Sequence, residues 1–237
     1  MKVYNDSKRI AILVDGGFYR KRAHRIFGNL DPKDRADELE NYCRRHLTEK
    51  ISGVNFHHDL YRIFYYDCPP SEKAVYNPIS RSSIELSKSN QYRWTMSFFS
   101  EIKQKRKFAL RLGELSEAEL GYFLSPRKTK EIINGKLKPE EIQEDDLRLM
   151  IGQKGVDMRI GLDIASLAYK KQVDQIVLIS GDSDFVPAAK LARREGIDFV
   201  LDPLGARIKE NLIEHIDGLR TKESKYLLQV KKTCQGS

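Results

Sequence analysis

Apolar runs and helical stripes alternate along the chain. Residues 9–15 form a short continuous run, Ile10-Ala-Ile-Leu-Val14, closed by Asp15 and Gly16-Gly17. Runs of this kind suit a central parallel strand covered on both faces. A basic segment, 18–25, then predicts a helix. Asp31-Pro32 predicts a second helix running to about 46, with Asp31 as its cap and Pro32 in its first turn. The aromatic stretch 60–66 predicts the next strand, ended by Asp67 and the prolines after it. Residues 71–90 are polar and read as an exposed connector with weak helix. A helix is expected over 92–105, with Trp94, Phe98, Phe99 and Ile102 sharing one face, and a strand over 108–112.

Residues 115–149 break this rhythm, with basic positions first and acidic ones after. They read as a partly ordered insertion on the rim, for which substrate contact, self-association or a plain solvated face are open readings. Order returns with a helix over 156–169. At about 100° per residue, Val156, Ile160, Ile164 and Leu167 fall in one stripe, with Asp157 and Asp163 on its two borders. A buried strand over 173–180, a helix over 187–195 stopped at Gly196, a strand over 197–201 and a helix over 206–215 follow. Residues 219–237 read as a basic, frayed tail with a short helix near Leu227.

Strand and helix in alternation imply an α/β fold with a mostly parallel central sheet and helices on both faces. The expected organisation is one domain over 1–220, with a variable rim insertion at about 71–150 and a basic tail at 221–237. The chain has 237 residues, 42 Lys and Arg against 34 Asp and Glu, and a formal net charge of +8. That balance favours polyanionic partners, nucleic acid first. Cys43, Cys68 and Cys234 are scattered, which supports neither a disulfide framework nor a zinc site. No apolar run is long enough to span a bilayer and residues 1–9 lack the pattern of a signal peptide, so the expectation is a cytoplasmic protein without membrane contact.

The chemistry concentrates at strand ends. The strand over 173–180 runs straight into Ser180-Gly-Asp-Ser-Asp184, and Ser183 or Asp184 could simply cap the helix that follows. Asp15 ends another strongly apolar strand, and Asp157 opens the helix that feeds the Ser180 strand. Open α/β sheets place ligands at the carboxyl ends of their strands, so Asp15, Asp157 and Asp182 are expected to converge. Clustered carboxylates repel unless a cation neutralises them, and an oxygen-only set suits Mg²⁺ or Mn²⁺. Asp15-Gly-Gly is neither a P-loop nor a dinucleotide fingerprint, and no Ser/His or Cys/His arrangement competes.

Ile12-Leu-Val-Asp-Gly-Gly17, Lys154-Gly-Val-Asp157 with Asp163 after it, and Ser180-Gly-Asp-Ser-Asp-Phe185 together resemble the NYN domain family, in its LabA-like branch, within the PIN-like nuclease superfamily. The resemblance covers about 9–20 and 150–216 and is weak over 70–150. It implies a three-layer α/β/α PIN-like, Rossmann-like domain, dependence on a divalent metal and ribonuclease activity. The family's acids fall on Asp15, Asp157 and Asp182, and more loosely on Asp163 and Asp184. Many members carry Asn three residues after the first Asp, where this chain has Phe18.

The expected function is therefore hydrolysis of RNA phosphodiester bonds by water activated on a metal held by Asp15, Asp157 and Asp182, with Asp163 and Asp184 as further ligands. Arg20, Lys21, Arg22 and Lys190 are candidates to hold the RNA backbone, with Ser180 and Ser183 adding hydroxyls. The alternative is a non-catalytic RNA-binding or regulatory module that keeps the fold, a reading that Phe18 favours. A phosphatase-like or small-nucleotide hydrolase fits less well because the chain is so basic.

Overall fold

The computed structural model describes residues 7–222. In chain order these form β1 (Arg9–Asp15), α1 (Gly16–Phe27), α2 (Pro32–Arg45), β2 (Thr48–Ile51), β3 (Val54–His57) and β4 (Asp59–Asp67). Then come β5 (Ala74–Asn77), β6 (Ser82–Glu85), α3 (Asn90–Gln104), β7 (Phe108–Leu112), β8 (Glu114–Leu124), α4 (Pro126–Ile133) and β9 (Leu147–Lys154). The remainder is α5 (Val156–Tyr169), β10 (Gln175–Ile179), α6 (Val186–Arg194), β11 (Asp198–Asp202), α7 (Glu210–Ile213) and β12 (Gly218–Leu219). The expected short helix near Leu227 and the rest of the basic tail lie outside the described residues.

The described residues divide into two compact units, one of residues 7–67, 97–112 and 155–222, the other of 68–96 and 113–154. The first is an α/β unit around a sheet of six strands in the order β12-β11-β10-β1-β4-β7. Every pairing in it is parallel. Successive side chains on a strand point to opposite faces. Ala11 and Leu13 of β1 accordingly join Phe64, Tyr66, Ile160, Ile164, Leu178, Phe185 and Ala189 in one buried cluster under α5 and α6. On the opposite face Tyr65 meets Tyr19, Phe98 and Phe99 edge-on, which seats α1 and the end of α3. Gly16 is required where α1 leaves β1, because a Cβ there would stand 2.5 Å from the Tyr66 carbonyl oxygen and 2.6 Å from the Tyr65 ring.

The second unit is built from antiparallel hairpins, β5 with β6 and the long β8 with β9. The expected loose connector over 71–90 is therefore a hairpin with a 3-10 turn after it. The expected partly ordered rim over 115–149 is a strand, a helix and a returning strand. Among the described residues no helix is long and apolar enough to cross a membrane.

Candidate active site

Register fixes the centre of the site. Val14 pairs with Ile179, so the residues that follow, Asp15 and Ser180, emerge side by side at the carboxyl ends of β1 and β10. Ser180 Oγ donates to Asp15 Oδ2 at 3.1 Å, and Asp15 Oδ1 accepts the Phe18 N–H at 3.0 Å, capping α1. Burial pushes the Asp15 carboxyl above its ordinary range. The bonds from Phe18 and Ser180 oppose that push, and the charges of Asp67 and Asp182 reinforce it.

Asp157 stands in the first turn of α5, where the helix dipole favours a carboxylate. It is open to solvent, yet its carboxyl is also raised, by partial desolvation and then by Asp15, Asp182 and Asp184. These neighbours come from two other segments, so the structure draws Asp15, Asp157, Asp182 and Asp184 into one shared field. Asp182, not Ser183 or Asp184, is the capping residue of the loop. Its Oδ1 accepts the Asp184 N–H at 3.0 Å, and a 3-10 turn over Ser183–Phe185 separates it from α6.

Asp163 turns elsewhere. Its Oδ2 accepts the Tyr66 hydroxyl at 2.8 Å and Arg111 Nε at 3.2 Å. Burial and the Asp163 charge push the Tyr66 phenol up, so it stays a donor. The stripe-border position expected of Asp163 is met by these partners rather than by the other acids.

The expected RNA contacts are placed unevenly. Arg20 pairs with Asp67 at 2.9 Å, and Arg22 donates to the Leu204 carbonyl from Nε and Nη2 at 3.2 and 2.7 Å. Both are thus committed to the fold, whereas Lys21 is exposed. Ser180 is committed as well, because its Oγ also accepts the Asp182 N–H at 3.3 Å. Ser183 Oγ accepts from Lys209 Nζ at 3.2 Å. Lys190 lines a cavity of about 690 Å³ with Arg193, Arg194 and Asp198. Asp198 opens β11, so that cavity lies at the amino ends of the strands, the end opposite the acids.

Two residues of the neighbourhood were missing from the expected set. Asp67 ends β4 next to β1, is 1% exposed, and is held by Arg20 and by the Tyr65 hydroxyl at 3.1 Å. The signal was available, since β4 ends in an acid as β1 does, but Pro69 and Pro70 gave a sufficient reason for the chain to turn. Lys209 carries no local signal, because the loop that swings it onto Ser183 is a tertiary feature.

The donor set fits a hard cation in chemistry: every candidate ligand is a carboxylate oxygen, and the charges acting on Asp157 are all negative. Direct coordination is not assembled. Among the described residues no group of three or more His, Cys, Asp and Glu side chains is gathered closely enough to hold a metal ion.

Residues 122–213 match the model of the NYN domain. That stretch takes in Asp157, Asp163, Asp182 and Asp184, and the six-stranded parallel sheet is consistent with the PIN-like fold of that domain. The chain is 16% identical to a protein of unknown function from Vibrio parahaemolyticus RIMD 2210633, over 95% of this chain and 98% of that one, with a TM-score of 0.47. It is 10% identical to a chain in a Sir2–p53 peptide–NAD+ structure, over 100% of both chains, with a TM-score of 0.36. Both likenesses are too distant to carry an argument. No curated protein matches the chain.

Proposed function

We propose that this chain is a divalent-metal-dependent ribonuclease of the LabA-like branch of the NYN family. One observation carries the reading: at the end of the sheet where Asp15 and Ser180 emerge side by side, the charge of Asp182 bears on Asp15, and those of Asp15, Asp182 and Asp184 bear on Asp157, so acids from three separate segments meet there. Such an arrangement is costly unless a cation completes it. NYN domains are nucleases as a family, and the match spans three of these four acids.

Asp15, Asp157 and Asp182 would hold Mg²⁺ or Mn²⁺, and Asp184 would reach it through water. Mg²⁺ commonly keeps several waters and takes only one or two protein carboxylates. A cation bound there supplies a water of lowered pKa and offsets charge on the scissile phosphodiester. The protein's own groups prepare for this. Ser180 favours the ionised form of Asp15 and fixes its orientation. The Phe18 N–H holds the other oxygen, and Asp182 is set by its bond to the Asp184 N–H.

A second reading, an RNA-binding or regulatory module without catalysis, is favoured by Phe18. Its half-buried ring lies on Gly181, within the acidic loop, where a polar side chain would add a contact to metal or phosphate. The test is incubation of end-labelled single-stranded RNA with the protein in Mn²⁺, in Mg²⁺ and in EDTA. Cleavage in metal that EDTA abolishes supports the nuclease. RNA binding with no cleavage in either metal supports the module instead.

A further inference from the structure

The acids leave a question of substrate placement. A phosphodiester approaching Asp15, Asp157 and Asp182 meets only negative charge until a cation is bound, so cationic groups must hold the strand beside the cluster. Arg20 and Arg22 are committed to Asp67 and Leu204, and Lys190 lies at the far end of the sheet. Lys209 and Arg111 are two cations at the acidic end.

The first is Lys209, the residue before α7. It is exposed, and its Nζ rests 3.2 Å from Ser183 Oγ, between Asp182 and Asp184 in sequence. Its partner there is a neutral hydroxyl, a bond readily exchanged for one to a phosphate oxygen. The second is Arg111, the penultimate residue of β7. Its Nε bonds Asp163, its guanidinium lies 5.5 Å from the Phe64 ring centroid, and its side chain is 47% exposed. The ring contact and one bond from Nε hold the guanidinium while about half of the side chain stays exposed, an arrangement suited to a phosphate.

The strand order puts these cations on opposite sides. Lys209 follows β11 and reaches the loop after β10, whereas Arg111 sits on β7, and β1 with Asp15 lies between. Two strand spacings separate β1 from β7, on the order of 10 Å. A single strand laid across the carboxyl ends of the sheet would therefore meet one cation before the acids and the other after them.

We propose that Lys209 and Arg111 are the two phosphate contacts that lay a single-stranded RNA across the carboxylates, one on each flank. This rests on the nuclease reading above and adds the path of the substrate to it.

The test is anisotropy of a fluorescein-labelled single-stranded oligoribonucleotide titrated with the full chain in EDTA over a range of KCl, with circular dichroism confirming that each variant is folded. Removing one phosphate contact should reduce the slope of log K against log salt by about 0.7. Lys209→Ala and Arg111→Ala are each expected to show that loss with a Kd several-fold higher. Lys209→Arg and Arg111→Lys should restore the slope, and Lys190→Ala should leave it unchanged. A purely structural role for Arg111, bracing Asp163, would lower the melting temperature without moving the slope. RNA binding whose slope is unchanged in either alanine variant, or equally reduced by Lys190→Ala, overturns the path alone, as does wild-type protein that cleaves RNA in Mn²⁺ but does not hold it in EDTA. Wild-type protein that neither binds nor cleaves RNA overturns the nuclease reading, and the path with it.

Discussion

Ser180 Oγ donates to Asp15 Oδ2 at 3.1 Å while accepting the Asp182 N–H at 3.3 Å, so one hydroxyl ties the end of β10 to the end of β1 and to the acidic loop. Its bond to Asp15 favours the ionised carboxylate against the push of burial. Ser180→Ala should raise the Asp15 carboxyl further, moving the pH at which Mn²⁺ binding is half-maximal upward. It should also cost about 1 kcal/mol of stability, the usual worth of one hydrogen bond. Calorimetric Mn²⁺ titrations between pH 5 and 8 check the first effect, and an unmoved midpoint would count against it.

The raised Asp157 carboxyl has a definite sign. A carboxyl raised in the folded state binds its proton more tightly there than in the unfolded chain. Its repulsion is absent below the unfolded value of 3.8, grows as pH rises through the folded value, and is fully present at neutral pH. In EDTA at pH 7, Asp157→Asn should melt above wild type by on the order of 1 °C, a small figure because solvent screens its open side. The difference should vanish near pH 3. Adding Mn²⁺ should reverse the order, because the ion stabilises whichever protein binds it.

Phe18 and Gly181 are locked by contact. A Cβ on Gly181 would lie 2.8 Å from a ring carbon of Phe18. Gly181→Ala should therefore shift the ring or the acidic loop and destabilise by about 1–3 kcal/mol, as overpacking does. Phe18→Leu should recover part of that loss in the double variant. A double-mutant cycle by urea unfolding measures the coupling, and strictly additive effects would show that the contact is not tight.

Asp202 ends β11 as Asp15 ends β1, but it belongs to the fold. It is fully buried and accepts from Leu204 N–H at 2.8 Å, Thr221 Oγ at 2.9 Å, His46 Nε2 at 2.9 Å and the Tyr42 hydroxyl. Burial lowers the His46 imidazole and keeps it neutral, so the nitrogen facing the carboxylate is the one that carries the proton. Asp202→Asn would aim an amide N–H₂ at these donors and should cost about 3 kcal/mol, or roughly 5–10 °C in melting temperature. Mn²⁺ affinity of the folded fraction should not change.

The central strands and α5 were legible because a parallel sheet buried on both faces writes continuous apolar runs, and α5 writes a stripe. The positions of Asp15, Asp157 and Asp182 at element ends were legible for the same reason, since they end or open those elements or follow directly on them. The hairpins β5–β6 and β8–β9 were not, because their exposed positions and serines read as connector. β2–β3 carried a signal that went unused: Ser52-Gly53, both with positive φ, is a two-residue hairpin turn. The helix expected over 206–215 is confined to Glu210–Ile213, and the loop before it carries Leu204, held through its backbone by Arg22 and Asp202. The commitments of Arg20, Arg22 and Asp163 depend on partners 47, 182, 97 and 52 residues away, which no local pattern encodes.

The most direct test of the account is single-turnover cleavage of one single-stranded RNA in Mn²⁺ by the wild type, Asp15→Asn, Asp157→Asn, Asp182→Asn and Asp202→Asn, all shown to be folded. The account predicts wild-type cleavage that EDTA abolishes, a loss of about 100-fold or more in each of the first three variants, and near wild-type rates for folded Asp202→Asn. Cleavage that persists in Asp15→Asn and Asp182→Asn, or that ignores EDTA, would contradict it.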